Sequence, residues 1–165
     1  SQSGIRVNCL SPTGVYNDHP EEFVKRLSNI IPMGRMADID EYKGKMYKLY
    51  NVLTRYYDPK QIGIKNHPNF PKIEFEWSKN CTELPAKTPA SLLCYMSKVV
   101  IAYGSATLYE AANIGIAAIS LVNIIPSTSP DQPNNISKYL LDNSVGKNIY
   151  FPKDIDEFDN LLKSC

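Results

Sequence analysis

Apolar residues fall along this chain in two alternating rhythms. Short unbroken runs rich in β-branched residues read as strands buried on both faces. Longer stretches with apolar positions three and four apart read as helices lying over them. Gly4 to Leu10 (GIRVNCL) alternates as a strand and ends in the turn Ser11-Pro12-Thr13-Gly14. His19-Pro20-Glu21-Glu22 opens a helix with proline and acids in its first turn. Phe23, Leu27, Ile30 and Ile31 give it an apolar stripe, and Pro32-Met33-Gly34 ends it. Asp38, with Glu41 three residues on, has the form of a capping box. It predicts a helix to about Tyr56 with Met46, Leu49, Tyr50 and Leu53 on one face. Tyr57-Asp58-Pro59 is a turn, Gln61 to Lys65 a short strand, and Asn66-His67-Pro68-Asn69 a polar turn. Pro71 to Trp77 predicts a second short strand, IEFEW, with Trp77 over the core edge, and Ser78 to Ala90 reads as a loop. A helix begins at Thr88-Pro89-Ala90-Ser91 by the cap-then-proline rule and runs through Leu92, Leu93 and Met96.

The pattern is clearest from Lys98 to Leu121. Val99 to Ala102 is a buried strand, Tyr103-Gly104-Ser105 breaks it, and Ala106 to Asn113 is a helix with Leu108, Ala111 and Ala112 on one face. Gly115 stops that helix, and Ile116 to Leu121 is another strand. Strand, turn, helix, strand is a βαβ unit, which builds parallel sheets. Val122 to Asn135 reads as a polar loop, Ile136 to Leu141 as a short helix and Ile149 to Phe151 as a last strand. Pro152 to Leu162 closes the chain as a helix with Asp154 at its start and Ile155, Phe158, Leu161 and Leu162 facing inward.

Composition narrows what such a fold can do. The chain has 165 residues, 43% apolar and 21% charged, which suits a globular domain with its own core. A net charge of +1 gives no electrostatic case for binding nucleic acid. No run approaches the roughly 20 apolar residues of a membrane helix. The start on Ser1, just ahead of a strand, reads as that of a fragment. Cys9, Cys81, Cys94 and Cys165 are scattered without a C-x-x-C pair, so no metal site is expected and reduced thiols point to the cytoplasm.

Candidate chemistry sits at two turns. Ser105 and Thr107 flank the start of the Ala106 helix, where unpaired N–H groups and a partial positive charge suit a phosphate. The other reading is that Ser105 merely caps the helix, since serine is a favoured cap residue. His67 lies past a strand's carboxyl end, the edge where open α/β sheets bind ligands, or is a turn histidine in solvent.

Two family resemblances follow. Asn8, Pro12 and Gly14, then Pro32, Gly34 and Arg35, fit the N-x-x-x-P-x-G and P-x-G-R segments of short-chain dehydrogenases/reductases, and residues 1–44 resemble the late part of that family. The family's glycine-rich loop, its Ser and its Tyr-x-x-x-Lys pair precede this segment and have no counterpart here. After Gly44 the sequence reads KMYKLYNVLTRYYDPKQ in place of the family's closing V-D-G-G strand. The resemblance therefore implies a remnant, with no NAD(P) or other cofactor held by this chain.

From about Tyr47 onward the chain is similar to the C-terminal, nucleotide-binding half of GT-B glycosyltransferases, nearest in look to bacterial capsule and lipopolysaccharide sialyltransferases and polysialyltransferases. Lys65-Asn66-His67-Pro68 and Gly104-Ser105-Ala106-Thr107, followed by Leu108-Tyr109-Glu110-Ala111, carry that similarity. It implies that His67, Pro68, Ser105 and Thr107 surround the phosphate of a CMP-sugar, with Glu110 toward the ribose or base. It assigns no catalytic residue, because the acceptor domain of such enzymes lies N-terminal and has no counterpart here. Peripheral membrane association would belong to the parent enzyme.

The expected architecture is thus α/β: a Rossmann-like open parallel sheet, half of a GT-B fold, at residues 45–165, preceded by a strand-helix-helix remnant at 1–44. The expected function is nucleotide-sugar binding by a transferase fragment of surface-polysaccharide synthesis, inactive alone. A dehydrogenase fragment and a non-catalytic hybrid remnant are the alternatives.

Overall fold

The apolar runs come together as one sheet of six parallel strands in the order β3-β2-β1-β4-β5-β6. A computed structural model describes residues 6–9, 20–22, 25, 39–66, 74–103, 105–125 and 148–165. The strands are β1 (Arg6–Cys9), β2 (Ile62–Lys65), β3 (Thr82–Leu84), β4 (Val99–Ala102), β5 (Ala117–Ser120) and β6 (Ile149–Tyr150). The helices with defined ends are α1 (Ile39–Tyr56), α2 (Ala90–Tyr95), α3 (Ala106–Asn113) and α4 (Ile155–Ser164). Glu21, Glu22 and Lys25 are also helical, where the proline-and-acid start places a helix. The expected turns at 11–14 and 32–34, the apolar stripe of the first helix, the Asp38 cap, the 126–135 loop and the 136–141 helix lie outside the described residues.

The order 3-2-1-4-5-6 is that of doubly wound nucleotide-binding sheets. The chain leaves β1 for β2 on one side and leaves β4 for β5 on the other, so the winding reverses between β1 and β4. The two sides of the sheet show the reversal in their cores. Met46, Leu49, Val52 and Leu53 of α1 and Phe158 and Leu162 of α4 bury Val99, Ile101 and Ile119. Leu108, Ala111 and Ala112 of α3 and Cys94 of α2 bury Val100, Ala102 and Ala118. Successive strand residues feed opposite cores, as the pleat requires. Covered on both faces, β4 is buried at every position, hence its unbroken Val-Val-Ile-Ala.

Local chemistry sets the element ends. Asp154 caps α4, its Oδ1 accepting from the Glu157 N–H at 2.8 Å. Asp58 and Gln61 form a capping box around the 3-10 turn Pro59–Gln61 that leads into β2. Gly115 follows α3 at φ +82, a conformation side chains resist, so it stops the helix as expected.

Three expectations are corrected. The described part of IEFEW, Glu74 to Trp77, is not a strand: Glu76–Asn80 is a 3-10 turn, and the neighbouring strand is Thr82–Leu84, in the stretch read as loop. Trp77 stacks on Phe75 at 5.0 Å and on Tyr50 of α1 at 4.7 Å. The Ser78 N–H and hydroxyl both donate to the Phe75 carbonyl, at 3.0 and 2.6 Å, and close the turn. Aromatic stacking and a serine turn thus override an alternating pattern. At α2 the N-cap is Pro89 and makes no side-chain cap, so the cap-then-proline reading with Thr88 is one residue early. Leu93 and Cys94 are the buried residues of α2, and Leu92 and Met96 are exposed.

The expected division at residue 44 falls inside α1, and β1 lies in the middle of the sheet between β2 and β4. The N-terminal segment is therefore not set apart from the rest at the level of the sheet.

Candidate functional site

The winding reverses between β1 and β4, and in open α/β sheets the usual ligand position lies beyond the carboxyl ends of the strands at such a reversal. Cys9 of β1 is in register with Ala102 of β4 and with Lys65 of β2. All three strands therefore end at one level on one rim. From Ala102 the chain turns into α3, and buried contacts hold that turn. The Ser120 hydroxyl, itself fully buried, donates to the Tyr103 carbonyl at 2.8 Å. The Leu121 N–H donates to the Ala102 carbonyl at 2.9 Å. The start of α3 is thus tied to the end of β5.

Ser105 is the N-cap of α3. Its Oγ accepts from the Thr107 N–H at 3.2 Å and shares a hydrogen bond of 3.1 Å with the Thr107 hydroxyl. The Leu108 N–H goes to the Ser105 carbonyl at 3.0 Å. Ser105 is half-buried and Thr107 buried. Ser105 therefore does cap the helix, and it sits at the rim. The Ala106 N–H, the first of the helix, has no intrahelical acceptor by geometry.

Glu110 stands apart from this pair. It is exposed and lies roughly 7.5 Å further along α3 at 1.5 Å per residue. Its carboxylate acts on α2: burial, with Glu110 adding to it, pushes the Cys94 thiol up to about 11. Burial alone pushes Cys81 up to about 11, with Lys60 working against it. Both thiols stay protonated at neutral pH and are poor nucleophiles. His67 and Pro68 lie outside the described residues. What is described of their strand is that β2 ends at Lys65, on the same rim as the start of α3 and one strand removed from β4.

Two contributors were not drawn from the sequence. Ser120 reads there as one more strand residue, yet it fixes the backbone before Ser105. Lys65 appears there only as the residue leading into the His-Pro pair, yet it is buried at the rim. An ionisable residue closing an otherwise apolar strand, IGIK, was the available signal.

Among the described residues no group of three or more His, Cys, Asp or Glu is arranged to hold a metal ion. Nor is any helix among them long and apolar enough to cross a membrane. No protein-family model matches the chain, and no curated protein sequence matches it.

Proposed function

We propose that this chain binds a nucleotide sugar, a CMP-sugar by the sequence resemblance, as the donor-binding part of a surface-polysaccharide glycosyltransferase. One observation carries the reading: a paired Ser105 and Thr107 at the start of α3, beside the point where the sheet reverses its winding. Hydroxyls and helix N–H groups there are donors aimed at the place where α/β sheets take anions. The Ser105 hydroxyl donates to Thr107 in the free protein, and in the bound state it turns to donate to a phosphate oxygen while the Thr107 hydroxyl donates to Ser105. The Ala106 N–H adds a second donor. His67 and Pro68, carried over from the resemblance, complete the phosphate contacts, and Glu110, further along α3, remains a ribose or base contact.

Glycosyl transfer leaves negative charge on the departing nucleotide phosphate, and fixed donors at that phosphate stabilise the charge as it grows. The chain's part in the reaction is to hold the leaving group. Acceptor binding and the general base belong to another domain, so the chain alone is inactive. The cytoplasm is its proposed compartment, a reading supported by the free thiols of Cys81 and Cys94.

A dehydrogenase reading draws support from the same strand order, which dinucleotide enzymes also use. The sequence after β1 reads Ser11-Pro12-Thr13-Gly14, however, and lacks the G-x-G-x-x-G cradle, so these residues do not fit NAD(P).

Thermal melting separates the readings. Millimolar CMP is expected to raise the melting temperature, and Ser105→Ala with His67→Ala to abolish the rise. An NADH fluorescence titration is expected to stay flat. A melting curve unmoved by CMP would remove the nucleotide reading.

A further inference from the structure

We draw no further inference here: the strongest candidate, the run of exposed apolar residues Leu92, Tyr95 and Met96 on α2 and its C-terminal cap, carries nothing because nothing in the structure shows what covers it.

Discussion

At the scale of single residues, capping and anion binding compete for the same Ser105 hydroxyl, and substitutions can separate them. Alanine removes the acceptor of the Thr107 N–H and is expected to cost about 1 kcal/mol. For a chain of this size that lowers the melting temperature by roughly 2–4 °C. Aspartate caps as well as serine does and suits the positive end of the helix, so Ser105→Asp is expected to melt within a degree or so of wild type. Its charge would repel a phosphate, and CMP would no longer shift the melt. A pure cap predicts instead that Ser105→Asp behaves like wild type toward every ligand. The capping role was legible in the sequence, because serine followed by helix formers signals a helix start. The burial of Lys65 was not, because a lysine after a short apolar run reads as a strand end reaching water. The packing of Ile62 and Ile64 under α1, and of Leu84 against Leu93, shows which face of the sheet that lysine takes.

At the scale of elements, strong periodicity carried the reading. Helix α3 spans the residues assigned to it, and its apolar face of Leu108, Ala111 and Ala112 is the buried one. Helices α1 and α4 were legible for the same reason. The failure at 76–84 has a local cause: β3 is three residues long and is followed by Pro85, so it offers no alternation to read. The pairing of α1 with α4 separates packing from charge. Arg55 Nη1 meets Asp159 Oδ2 at 2.7 Å, but the arginine side chain is 61% exposed. The Asp159 carboxylate beside Tyr56 also raises the tyrosine pKa. With water around the arginine, Arg55→Ala is expected to cost less than about 1 kcal/mol. Phe158, one position before Asp159, is fully buried between α1 and the sheet, and Phe158→Ala is expected to cost about 3–5 kcal/mol. Urea unfolding of the two variants checks both values. Comparable losses would mean that the ion pair, not the aromatic contact, fastens α4.

At the scale of the whole molecule, strand order was beyond the sequence. Local pattern predicts βαβ units but does not say which strand lies in the middle, since that depends on pairings between residues far apart in the chain. A change of family pattern near Gly44 suggested two pieces, yet β1 pairs along all four of its residues with β2 and over three of them with β4. Removing it would leave β2 and β4 with unpaired inner edges, which in a sheet covered on both faces cannot simply turn to water. A chain beginning at Ile39 keeps α1 whole and lacks only β1 and what precedes α1. It is expected to lose the cooperative melt of the full chain and to aggregate through those edges. A peptide of residues 1–38 added in trans is expected to restore part of the cooperativity, because it returns the missing strand. If the shortened chain instead melts sharply at the full-length temperature, the segment before α1 is dispensable and β1 does not bind the halves of the sheet together.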